Sequence, residues 1–369
     1  MSNQDFDYQM VRDEARRFLS DAMQPEHLKG LLEQPGSFDR QAWDSAVEFG
    51  WSASAAPEHV DGLGLGWRGV CVLAEEMGRA NASLPLIGSA AVAELLLANP
   101  EGAAAAHAAD LIAGRRHACL ALPVSGDGAP AGAGAASQVA LRAGRLHGVT
   151  AVTPFAASAD LALVSATDAD GVLHLVIAAL EEQGVTRSLL SSIDNSRAAA
   201  RLEFDGAPAW PVCAPAQARE QLWNVLSLAA LATSFEQLGG AQACLEMACE
   251  YARERKAFGQ QIGRFQAIKG KLADMYIRIE LARGCALDAL AAQERGDPSW
   301  PGLAAAARVA ASDAYDVAAR ENIQTHGAIG VTWEAMPHHH YRRARALAVE
   351  MGNSAAWRER MLAHAGLGF

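Results

Sequence analysis

The hydrophobic period of this chain changes twice, from helical to alternating and back to helical, and that order limits the fold more than any other feature of the sequence. From about Asp5 to Ala113 the period is helical: Val11, Ala15, Phe18 and Leu19 recur at i, i+4, i+7 and i+8, with Asn3 or Asp5 available as a cap. Further helices are expected over Ala42–Phe49, Arg68–Gly78 and Gly88–Leu97. Between roughly Cys119 and Cys213 the pattern turns to short alternating runs split by Gly, Asp and Ser, as in Leu161–Val164, Leu173–Ile177 and Ala200–Phe204, which read as strands. The stretch Gly126–Ala136, dense in Gly, Ala and Pro, reads as a loop. From Gln221 onward long helices return: Trp223–Arg255, Phe265–Glu294 with Phe265, Ile268, Leu272, Met275 and Ile279 on one face, then Gly302–Thr325 and His338–His364. The expectation is a multidomain α+β chain: an N-terminal helical domain over 1–118, a small central β-barrel or sandwich over 119–213, and a C-terminal four-helix bundle over 214–369.

With 369 residues and 51% hydrophobic content, the chain is long and apolar enough for two or three cooperating cores. Its longest apolar stretches, such as Ala90–Ala98 with Glu94 inside it, fall short of the roughly 20 residues needed to span a bilayer. The N-terminus, with Asp5 and Asp7, lacks a basic-then-apolar signal, so a cytoplasmic protein is expected, with no membrane partner. The six cysteines are scattered without a CxxC pair, which argues against a metal site or a disulfide framework. A net charge of −11 disfavours nucleic acid, and any phosphate-bearing ligand must be met locally. Gly64-Leu65-Gly66-Trp67-Arg68-Gly69 satisfies a GxGxxG spacing, but no strand pattern precedes it, so it reads as a helix connection. His338-His339-His340 suggests a metal cluster only at first sight, since consecutive helical residues do not share a face; no metal is expected.

Local residues sharpen the domain order. Tyr251, Arg255, Phe258, Gly259, Ile262, Phe265 and Gln266 follow the spacing Y-x3-R-x-x-F-G-x-x-I-x-x-F-Q, and Leu272-Ala-Asp274-Met275 continues it. Gln324-Thr-His326-Gly327-Ala-Ile-Gly330 is similar to a Q-x-x-G-G-x-G turn, and Tyr341-Arg342-Arg343-Ala344-Arg345 to Y-R-D-A-R. Near the start stand Pro57-Glu58, Gly62-Leu63-Gly64 and Glu75-Glu76-Met-Gly78-Arg79. Together these resemble the acyl-CoA dehydrogenases over nearly the whole chain, more weakly in the β-domain.

The resemblance implies FAD as cofactor and α,β-dehydrogenation of an acyl-CoA thioester, with electrons passed to an external carrier, in this family usually electron-transfer flavoprotein. It implies that Arg255 binds the FAD pyrophosphate of a neighbouring subunit, with Phe258 and Gln266 beside it, and that Gln324, Gly327 and Gly330 approach the adenine half. The chain would then be at least a dimer, as a homo-oligomer or a heterotetramer with a homologous subunit. On the residues alone, Arg255 also reads as a helix C-terminal cap and Gln324–Gly330 as a helix-ending turn. Asp194-Asn-Ser-Arg197 resembles the family's D-x-x-R and reads as a structural turn. The family's T-E-P-x-x-G-S-D loop is reduced to Leu122–Asp127, and its W-I-T segment over the flavin becomes Val152-Thr153-Pro154, where Thr153 is left to donate.

The family's base needs a carboxylate with a raised pKa in a dry site. Its commonest position, directly before a glycine, falls on Met351, with Glu350 one residue early; adjacent helical positions point roughly 100° apart. The second base position falls on Ala229, Glu236 lies two turns away and reads as a packing residue, and Glu334 is a weaker candidate. Two readings follow: an acyl-CoA dehydrogenase using Glu350 as base, or a non-catalytic partner subunit lending FAD-binding surface to a homologous chain, as in bacterial heterotetramers acting on steroid side-chain CoA esters.

Overall fold

The computed structural model describes residues 3–122 and 138–367. The N-terminal part is helical: α1 (Asn3–Ala22), α2 (Pro25–Glu33), α3 (Arg40–Glu48), α4 (Gly66–Arg79), α5 (Leu86–Ala98) and α6 (His107–Ile112). Helix α5 is apolar on all sides but for the half-buried Glu94 and is buried along most of its length, as such a helix must be. The Gly64–Gly69 run joins a short 3-10 turn (Glu58–Val60) to α4, and among the described residues no strand precedes it.

The central sheet comprises β1 (Ala118–Ala121), β2 (Gln138–Arg142), β3 (Arg145–Val149), β4 (Leu161–Thr167), β5 (Leu173–Ala179), β6 (Val185–Leu189), β7 (Ala200–Pro208) and β8 (Trp210–Pro211). Its strands run in the order β6-β7-β3-β2-β4-β5-β8, with β1 parallel to β4, and the sheet curls into a half barrel. Alternation along β4 divides two cores: Leu161 and Leu163 face the helices, whereas Ala162 and Val164 pack inside the curl with Leu202 and Phe204. The segment 126–136 expected to be a loop lies outside the described residues.

Beyond the sheet runs α7 (Pro215–Glu254), 40 residues long, with proline in its first turn. A hairpin of β9 (Lys256–Ala257) and β10 (Gln260–Gln261) follows, then α8 (Gln266–Glu294), α9 (Trp300–His326), α10 (Pro337–Leu347) and α11 (Ser354–His364). The single helix expected over His338–His364 is therefore two. Met351 (φ 56°) and Gly352 (φ 101°) leave the helical region, and Asn353 restarts it by accepting from the backbone N–H groups of Ala355 and Ala356. No helix among the described residues is long and apolar enough to cross a membrane.

Candidate functional site

Helix α7 ends where Arg255 turns extended, and the next residues form a two-residue hairpin whose tip, Phe258-Gly259, has φ of 50° and 79°. Two successive positive φ values make the type I′ turn that matches strand twist. It holds Phe258 96% exposed, its ring set edge-on against Phe265. Arg255 is exposed too, and no described carboxylate pairs with it. The Tyr251 ring stacks on His326 at 4.3 Å, which joins the end of α7 to the end of α9. Arg255 and Phe258 are thereby brought to the same end of the bundle as Gln324 and Gly327.

Gln324 lies exposed on the last turn of α9 and lines a groove of about 460 Å³ with Arg320, Trp333, His338 and Arg342. Gly327 has φ 65° and ψ −140°, a conformation left to glycine, and a Cβ there would meet nothing within 4 Å. Gly330 differs: a Cβ would sit 2.9 Å from the Ile323 carbonyl oxygen, so its glycine is explained by packing of the turn on its own helix. Gln266 opens α8 and is exposed. A free guanidinium, an exposed amide and an open glycine at one bundle end suit the pyrophosphate and adenine of FAD.

The other end of the expected cofactor site is different. Thr153 is 2% exposed; its hydroxyl donates to the Ala151 carbonyl at 3.1 Å, and its backbone bridges Ala200 in both directions. The loop that would supply the other flavin contacts lies in 123–137, outside the described residues. Beside Thr153, Phe155 takes φ 61° and carries the Arg197 guanidinium 4.8 Å from its ring centroid. Arg197 donates through Nε and Nη2 to the two oxygens of Glu350 at 2.9 and 2.7 Å, and through Nη1 to Glu236 at 3.2 Å. Both oxygens of the expected base are thus held by one fork. The flavin ring has no fitting donor at Thr153.

Around this pair lies a buried cluster of three arginines and three carboxylates. Arg343, fully buried, donates to Asp194 (2.6 Å), Glu236 (3.3 Å), Ser196 (3.0 Å) and the carbonyls of Asn81 and Ala82. Arg308 donates to Gln237, Ser312 and the Leu347 and Glu350 carbonyls, holding the turn after α10. Burial raises the Glu236 carboxyl above its usual range against the pull of Arg197 and Arg343, and Oε2 of Glu236 has no partner. Asp194 is shifted the other way: burial opposes its charge, but Arg343 and Ser196 outweigh it. Burial pushes Arg308 down to about 10.

Reading Asp194–Arg197 as a turn and Glu236 as a packing residue misses this cluster. The available signal was Arg343, which stands where Y-R-D-A-R has aspartate. A charge reversal at a buried position demands new carboxylates elsewhere. Among the described residues no group of three or more side chains suits a metal, His338–His340 included.

Residues 6–102 match the family model for the acyl-CoA dehydrogenase N-terminal domain, and residues 220–366 the model for its C-terminal domain. The chain belongs to the acyl-CoA dehydrogenase family. These are flavoprotein oxidoreductases acting on CH–CH bonds. Acyl-CoA dehydrogenase IpdE2 of Mycobacterium tuberculosis is 29% identical over 349 residues, covering 92% of this chain and 91% of its own. A variant of the Tcur3481-Tcur3483 steroid ACAD superposes with a TM-score of 0.87 at 26% identity, covering 99% of each chain. The ChsE4-ChsE5 complex from Mycobacterium tuberculosis superposes at 0.85 with 23% identity over 99% of this chain and 98% of that one, a likeness of fold.

Proposed function

We propose that this acyl-CoA dehydrogenase chain is the non-catalytic subunit of a two-chain cytoplasmic enzyme. It lends the dinucleotide end of an FAD site, through Arg255, Phe258 and Gln324, to a homologous subunit that carries the base. The pair dehydrogenates an acyl-CoA thioester, and electrons leave to an external carrier such as electron-transfer flavoprotein. Bound FAD supplies the hydride acceptor; this chain's residues supply binding. The solved relatives named as chain pairs, one of them a steroid ACAD, support both the pairing and a bulky acyl group.

One observation carries the reading: both oxygens of Glu350, the carboxylate beside the place where the resemblance puts the base at Met351, are held by Arg197. A general base must bring an oxygen within hydrogen-bond reach of the proton it removes. Freeing Glu350 would leave Arg197 buried with Glu236 as its one carboxylate hydrogen-bond partner, and uncompensated buried charge is strongly destabilising. At the second base position Ala229 is fully buried and has no acid to offer.

The test uses co-expression with a homologous chain that keeps a glutamate at either base position. The wild-type chain alone should not bleach flavin with any acyl-CoA, whereas the complex should. Glu350→Gln should leave the rate of the complex within about twofold, while Arg255→Ala should weaken FAD by roughly 10- to 100-fold, the usual worth of a charge-assisted pair. A loss of about 100-fold or more in a Glu350→Gln complex that still assembles and holds its FAD, the contribution of a positioned base, would put the proton transfer on this chain and end the reading.

A further inference from the structure

Among the described residues, the dinucleotide end of this chain is open and its flavin-ring end is not. We infer that Phe155, Arg197 and Glu350 form a plug in the place the family gives to the flavin ring, so that this chain seats no flavin ring of its own. This rests on the partner role proposed above and states which part of the cofactor the chain serves.

Two segments flank the ring place by resemblance, Val152–Pro154 on the sheet and Met351 on the turn after α10. In this chain a column of side chains joins them. Phe155 directly follows the first segment, in a left-handed backbone conformation that side chains rarely adopt and that persists only where the surroundings hold it. Phe155 is 8% exposed, and its ring supports the Arg197 guanidinium. Arg197 grips Glu350, directly before Met351, with both arms of its fork. A flavin ring and a thioester stacked on it would need two layers between the same walls, each roughly 3.5–4 Å thick. In this chain the Phe155 ring, the Arg197 guanidinium 4.8 Å from its centroid and the Glu350 carboxylate stand there instead.

The column is also fastened on every side. Arg197 reaches Glu236 on α7, the Glu350 carbonyl accepts from Arg308 on α9 at 3.2 Å, and Thr153 is stitched to Ala200. The side chains of Arg197 and Glu350 are 8% and 10% exposed, so the column is shut to water as well as to a ring. Contacts between protein groups stand where a binding site would leave donors free.

The experiment measures FAD released from the purified two-chain complex against each chain, together with the absorption band of the bound flavin. One FAD per pair of chains is expected. Phe155→Leu, which keeps an apolar side chain of similar bulk, should leave both the FAD content and the flavin band unchanged, with folding checked by thermal melting. One FAD per copy of this chain when it is purified on its own would overturn the plug. So would a shifted band or lost FAD in a folded Phe155→Leu complex, because either places the ring against residue 155. Two FAD per pair, with no bleaching by this chain alone, would remove the plug and leave the partner role standing. Bleaching by this chain alone would remove the partner role as well.

Discussion

His339 carries the clearest single-residue cost in the molecule. It is 1% exposed, and neither ring nitrogen has a hydrogen-bond partner. Burial, with His338 stacked 4.3 Å away, pushes its pKa down to about 4, and burial beside Arg343 takes His340 to about 3. A histidine whose folded pKa lies below its unfolded value of about 6.5 binds fewer protons folded than unfolded. Its effect is absent above that unfolded value and grows as a loss of stability while pH falls toward the folded one, by about 1.4 kcal/mol per pH unit. His339→Leu keeps the bulk and removes two unsatisfied nitrogens, each of a kind that costs about 1–3 kcal/mol when buried. Urea unfolding of the variant should therefore match or exceed wild type at pH 7.5, and the gap should widen by at least about 1 kcal/mol at pH 4.5. A gap that stays constant between the two pH values would mean His339 is not held neutral by burial.

At the scale of elements, the crossing of α4 and α7 depends on two glycines placed face to face. A Cβ on Gly78 would lie 1.7 Å from the Glu236 carbonyl oxygen, and one on Gly239 would lie 1.8 Å from that of Glu75. Both obstacles are backbone, so neither can yield without moving a helix. Gly239→Ala should cost more than about 3 kcal/mol, the range of severe overpacking, or prevent folding. Gly270→Ala on α8, where a Cβ would meet nothing within 4 Å, should instead add about 0.5–1 kcal/mol by denaturant titration. Equal effects at the two sites would refute the close-approach argument. Periodicity made the helices and the β4, β5 and β7 strands legible, because burial on one face is a local statement. It could not show the break between α10 and α11, since Met351 has no preference for positive φ, although Asn353 is a readable cap. Motif spacing pointed to Arg255, Phe258 and Gln324, whose meeting at one bundle end needs the Tyr251–His326 stack, a long-range contact. The pairing of Arg197 with Glu350 was illegible for the same reason: 153 residues separate them.

Across the whole molecule, the buried cluster is the seam where the three parts of the chain meet. Arg343 on α10 reaches Asn81 and Ala82 behind α4, Asp194 and Ser196 at the edge of the sheet, and Glu236 on α7. Three guanidinium groups, those of Arg197, Arg308 and Arg343, face the carboxylates of Asp194, Glu236 and Glu350, so the seam is neutral only as a set. Removing one member leaves an uncompensated charge, which typically costs about 3–5 kcal/mol, whereas removing a matched pair costs far less. Arg343→Met should accordingly destabilise by that amount, and Arg343→Lys should not rescue it, because an ammonium offers three donors where the guanidinium here serves five acceptors. Adding Glu236→Leu to Arg343→Met removes the carboxylate whose Oε2 already lacks a partner, so the double variant should recover at least about 1 kcal/mol relative to Arg343→Met alone. Denaturant titration of the four proteins gives the coupling directly. Simple addition of the two single effects would show that Arg343 and Glu236 contribute independently, and that the seam is held by packing and not by charge balance.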